Sequence, residues 1–68
     1  MAAFNVTLKA ARVNADLTQK ELAERLNVTV DTVINWESGK SEPRMGQLKQ
    51  ISELSGIPMD FIYVPLKS

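Results

Sequence analysis

The chain has 68 residues, with eight basic and eight acidic side chains and no cysteine or histidine. That length allows one small domain and leaves no room for a separate catalytic unit. The missing residue types exclude disulfides, a zinc knuckle and the commonest general base, and a net charge of zero gives a nucleic-acid partner no bulk support.

Proline and glycine are confined to a few positions, and between them the apolar residues recur at helical spacing. Five short helices are predicted. The first runs from about Thr7 to Asn14, with Phe4, Leu8, Ala11 and Ala15 on one stripe. The second runs from about Gln19 to Leu26. Thr18 is its N-cap and Glu21 completes a capping box. Leu22, Ala23 and Leu26 form its buried face, and Asn27 takes the left-handed backbone that ends it. The third runs from about Val30 to Ser38, with Thr29 as N-cap and Gly39 just past its end. Val33 and Trp36 point inward on it. Spacing makes Trp36 a core residue rather than a stacking platform for bases. The fourth helix is expected to start at Pro43, as a first helical residue, and to carry Leu48, Ile51 and Leu54 inward before Gly56. A fifth turn, Pro58 to Tyr63, is expected to bring Phe61 and Ile62 to the core. The expected architecture is all-α, a single domain over residues 1–68 with its core at about 5–63.

Helices two and three are separated only by Asn27, Val28 and Thr29, which is the helix-turn-helix pattern. Ala23 suits it, because a small side chain lets two helix axes approach closely. Gly39-Lys40-Ser41 imitates the end of a phosphate-binding loop. That loop needs a further glycine where Ile34 stands and a strand in front of it, so nucleotide hydrolysis is not expected. No apolar run approaches the roughly 18 residues of a membrane helix. The opening MAAFNVTLK has no basic segment followed by an apolar one, so no secretory signal is expected and the cytoplasm is the expected location.

The stretch LTQKELAERLNVTVDTVINWESGKSEP, Leu17 to Pro43, resembles the phage Cro and CI repressor family of XRE-type helix-turn-helix regulators. The matching positions are Thr18-Gln19, Glu21-Leu22-Ala23, Val33 and Trp36-Glu37-Ser38-Gly39-Lys40, and the resemblance extends from Leu8 to about Ile62. It implies a lambda-repressor-like fold of five helices and a transcription regulator that binds double-stranded operator DNA, usually as a homodimer. Two positions depart from the pattern. Asn27 stands where the turn usually has glycine, and the third helix offers no Arg or Lys to the bases.

In the helix-turn-helix docking mode the N-terminal part of the third helix enters the major groove. Val30, Asp31, Ile34 and Asn35 face away from Val33 and Trp36 and become the expected base readers, with Gln19 beside them by resemblance. Asn35 can hold adenine through N6 and N7, and Val30 and Ile34 can touch thymine methyls. Asp31 either accepts from cytosine N4 or stabilises the positive end of its helix. Thr18, Thr29, Ser38, Lys40, Ser41 and Arg44 are the expected phosphate contacts, through helix N-termini, the loop after Gly39 and two cations. The resemblance also implies a buried ion pair between Arg12 and Glu37 that locks the third helix in place. Tyr63, Val64 and Leu66 either finish the core or, with help from the loop before the fourth helix, form a dimer contact. No cofactor, metal, effector or catalytic group is expected. The competing function is a protein-interaction module, such as an antitoxin or adaptor.

Overall fold

A computed structural model describes residues 6–63. In chain order it contains β1 (Val6–Thr7), α1 (Leu8–Asn14), α2 (Gln19–Leu26), α3 (Val30–Ser38), α4 (Met45–Ser55), a 3-10 turn (Met59–Phe61) and β2 (Ile62–Tyr63). The two strands pair in parallel, Val6 with Ile62 and Thr7 with Tyr63, and join the two ends of the described chain.

Local chemistry sets most helix boundaries. The Thr7 hydroxyl accepts from the Ala10 N–H and starts α1. Thr18 and Thr29 start α2 and α3 in the same way. Asn27, Gly39 and Gly56 end α2, α3 and α4 in the left-handed region, at φ 60°, 84° and 74°. Asp16 (φ 64°) turns the chain after α1. Its two neighbours complete the turn, with the Leu17 N–H donating back to the Arg12 carbonyl at 3.2 Å.

The core is one cluster: Leu8 and Ala11 from α1, Leu22, Ala23 and Leu26 from α2, Val33 and Trp36 from α3, Ile51 from α4 and Ile62 from β2. Val6, Leu17, Val28, Leu48, Leu54 and Ile57 pack half-buried around it. Leu48 and Leu54 therefore flank the core rather than fill it. Ala15 is half-buried at the C-cap of α1. Phe4, Val64 and Leu66 lie outside the described residues.

Three expectations are corrected. Four α-helices are present among the described residues, not five. The expected fifth is a single 3-10 turn, because the chain there leaves helix geometry to pair with Val6. That pairing also decides which side chain enters the core. Ile62 is buried, whereas Phe61, expected inside, is 48% exposed. Adjacent residues entering an extended segment point to opposite sides, so burying one expels the other. Finally, α4 begins at Met45 rather than Pro43. The Arg44 N–H donates to Gln47 Oε1 at 2.7 Å, which makes Arg44 the extended N-cap and leaves Pro43 outside the helix.

Candidate nucleic-acid interface

The arrangement of α2 and α3 follows from the turn between them. At the end of α2 the Val28 N–H donates to the Ala23 carbonyl at 2.9 Å and the Asn27 N–H to the Glu24 carbonyl at 3.2 Å. Both bonds close over the left-handed Asn27, and the chain reverses in three residues. The Thr29 hydroxyl then accepts from the Thr32 N–H at 3.3 Å and opens α3. Ala23 of α2 and Val33 of α3 are both buried in the shared core.

At the other end of α3 the Asn35 carbonyl accepts from the Lys40 N–H (2.9 Å), the Ser41 N–H (3.3 Å) and the Ser38 hydroxyl (3.2 Å). This folds the Gly39–Ser41 turn back onto the last turn of the helix. Lys40 is exposed there and Ser41 half-buried.

The face of α3 opposite Val33 and Trp36 is open. Val30 is 39% and Ile34 41% exposed, Asp31 is exposed between them, and Asn35 is half-buried beside them. Trp36 is buried in the core and unavailable for stacking. The hydrogen bonds among the described residues use Asn35 only through its backbone, leaving its amide free.

The orientation of α3 is tied down by a buried polar network. Arg12 Nε donates to Glu37 Oε2 at 2.7 Å, and both side chains are at least nine-tenths buried. Arg12 Nη2 reaches the other carboxylate oxygen at 3.4 Å, and Nη1 donates to the Leu17 carbonyl at 2.9 Å. Gln19 Nε2 donates to Glu37 Oε1 at 3.0 Å. One carboxylate thus joins α1, the start of α2 and the last turn of α3. Among the described residues no buried side-chain nitrogen or oxygen lacks a partner, the condition under which a buried charge pair is tolerated.

Sequence reasoning paired Arg12 with Glu37 by resemblance but missed that Gln19 completes the site. No local pattern signals a contact between residues 18 positions apart. Its consequence is geometric. The Thr18–Gln19 end of α2 therefore lies beside the Glu37 end of α3, and the turn carrying Lys40 and Ser41 is held on the last turn of α3 by the Asn35 carbonyl. Arg44 is exposed at the start of α4, beyond that turn. Thr18, Thr29 and Ser38 are exposed, and all three already make hydrogen bonds within the chain.

The capping box on α2 has an electrostatic signature. The Thr18 N–H donates to Glu21 Oε1 at 2.8 Å and the Thr18 hydroxyl accepts from the Glu21 N–H at 3.0 Å. Hydrogen bonding to the Thr18 backbone, and then to its side chain, pulls the Glu21 carboxyl below its ordinary pKa, and Arg25 adds a smaller pull.

Among the described residues no group of acidic side chains forms a metal site, no pocket opens, and no helix is long and apolar enough to cross a membrane.

Comparison with known proteins agrees with this geometry. The family described as "Helix-turn-helix" matches residues 8–62. The HTH-type transcriptional activator BcrR of Enterococcus faecalis is 42% identical over 57 residues, 84% of this chain and 28% of its own length. The HTH-type transcriptional regulator ImmR of Bacillus subtilis is 36% identical over 55 residues, 81% of this chain and 43% of its own. The cryptic phage CTXphi transcriptional repressor RstR of Vibrio cholerae is 27% identical over 56 residues, 82% of this chain and 50% of its own. The chain therefore spans half or less of the length of these three relatives. No solved structure matches significantly.

Proposed function

The chain belongs to the helix-turn-helix family, and from that premise we propose that it is a sequence-specific regulator of transcription that binds double-stranded operator DNA. The observation that carries this reading is the open outer face of α3, framed by the capped start of α2 and by the Lys40–Ser41 turn. A helix presented in this way enters a major groove with its N-terminal residues against the base edges.

Roles follow from chemistry and position. The free Asn35 amide donates to adenine N7 and accepts from N6. The capped starts of α2 and α3, at Thr18 and Thr29, offer backbone N–H groups to phosphate oxygens. Ser38, Lys40, Ser41 and Arg44 line the path of the same backbone, with Lys40 and Arg44 neutralising phosphates. Gln19 spends one amide hydrogen on Glu37, which leaves its second hydrogen and its oxygen for a phosphate or a base edge. The carboxylate of Asp31 fits cytosine N4 and also favours the start of its helix.

A near-palindromic operator, a homodimer with its reading helices about 34 Å apart, a cytoplasmic location and repression by promoter occlusion complete the reading. No small-molecule effector enters it. One relative named an activator and another named a repressor fit a shared DNA-binding module whose regulatory sense is set by context.

A second reading is a protein-interaction module. It is favoured by zero net charge and by the exposed Val30 and Ile34. One experiment separates the two: selection from random duplex DNA near 0.1 M salt, followed by a salt titration. Enrichment of a two-fold symmetric site, with affinity falling steeply as salt rises, is expected. A folded protein that enriches nothing overturns the operator reading in favour of the interaction module.

A further inference from the structure

The open face of α3 is short of polar groups that could read a base. Thr32 and Thr29 share a hydrogen bond through their hydroxyls at 2.9 Å, and the Ser38 hydroxyl donates to the Asn35 carbonyl. Gln19, the neighbouring reader, has its amide nitrogen on Glu37. The helix carries no Arg or Lys, so it cannot grip guanine O6 and N7 in a bidentate way. What remains is one acceptor-only carboxylate, Asp31, one amide, Asn35, and the apolar pair Val30 and Ile34, each about two-fifths exposed.

We infer that this chain reads thymine 5-methyl groups in its DNA through Val30 and Ile34, beside the adenine held by Asn35. The inference rests on the operator-binding reading above. The geometry suits it. Residues four apart lie on one stripe of a helix, separated by about 6 Å along the axis. That is close to two base steps of about 3.4 Å. The two side chains therefore reach methyl groups on base pairs two steps apart, while the groove displays no other apolar group on any base. Asp31, between them, accepts from amino groups and repels the carbonyl edges of guanine and thymine. Thymine methyls are thus read where Val30 and Ile34 point, and not where Asp31 points.

A protein occupant of the same face fits less well. Val30 and Ile34 are only about two-fifths exposed and are flanked by a carboxylate and an amide, whereas the core of a stable protein interface is apolar and depleted of charge.

The test uses the whole chain and the duplex enriched by selection. Each thymine is replaced in turn by deoxyuridine, which lacks only the 5-methyl and keeps every hydrogen-bonding group. Loss of one buried methyl corresponds to about a fourfold weakening. The expected result is that penalty at one or two positions in each half-site, and its disappearance at one position in Val30→Ala and at another in Ile34→Ala. Both residues are exposed, so the variants should keep their melting temperature within a few degrees. A selected site on which no deoxyuridine matters would overturn methyl reading and leave operator binding intact. Penalties that persist unchanged in both variants would assign the methyls to other residues and overturn the inference as well. If no duplex is enriched, operator binding itself falls, and methyl reading with it.

Discussion

α2 and α3 are two short helices with the same punctuation. Each opens on a threonine cap and closes on a left-handed residue, and each buries apolar side chains in the same core. Their composition differs in kind. α2 is built from good helix formers, and its exposed side holds Lys20, Glu21, Glu24 and Arg25. α3 contains Val30, Thr32, Val33 and Ile34, β-branched residues that lose side-chain freedom in a helix. A helix meant only to hold its place needs soluble charges outside. A helix meant to meet another surface carries side chains that are costly for helix formation and exposed without protection. α3 is therefore a helix maintained by its surroundings: its caps, Trp36 in the core, and Glu37 in the grip of Arg12 and Gln19.

The strongest way to break this contrast is to cut that tether. Glu37→Ala leaves the Arg12 guanidinium buried without its partner and is expected to cost about 3–5 kcal/mol, a large part of the stability of so small a domain. Thermal melting measures the loss, and amide exchange should show α3 opening more readily than α2. A double replacement by apolar residues of similar size, Arg12→Met with Glu37→Leu, should recover much of it. A melting temperature unmoved by Glu37→Ala would show that α3 does not depend on the network.

Asn35→Ala separates reading from holding. Its amide bonds to nothing else among the described residues, so stability should stay within about 0.5 kcal/mol. Discrimination at one adenine should fall by about 1–3 kcal/mol, measured by competition between matched and mismatched duplexes. A large fall in melting temperature would instead give Asn35 a structural role.

Thr18→Ala removes the capping box of α2 and should cost about 1 kcal/mol in chemical denaturation. The loss should be confined to α2, the helix that stands more on its own composition.

The smallest effect is expected with pH. Because the folded-state pKa of Glu21 is lowered, the folded chain binds fewer protons than the unfolded chain in the acidic range. The contribution is present above the ordinary carboxylate value and is lost as pH falls through the lowered one. Glu21→Gln should flatten that part of a stability-against-pH curve. Identical curves for the two proteins would mean that the capping carboxylate contributes nothing to the acid response.

The helix-turn-helix was legible in the sequence, for a physical reason. Thr18, Glu21, Asn27, Thr29 and Gly39 act on backbone groups within a few residues of themselves, so their meaning survives without knowledge of the fold. The outward set on α3 was legible for a similar reason, since Val33 and Trp36 define the inner side and periodicity defines the other. The start of α4 was not legible. A proline is compatible with both the first helical position and the residue before the cap, and the bond from Arg44 to the Gln47 side chain made the choice.

By itself, then, the sequence determined what depends on near neighbours: the number and polarity of the helices up to α3, their caps, the buried stripes and the absence of chemistry for catalysis by histidine or cysteine. Tertiary structure decided what depends on residues far apart in the chain. Phe61 and Ile62 are adjacent and equally apolar, and only pairing with Val6 sends one outward and the other into the core. Gln19 is a plausible surface residue until Glu37 arrives beside it. In both cases the deciding energy is a contact across the fold, which a local pattern does not encode.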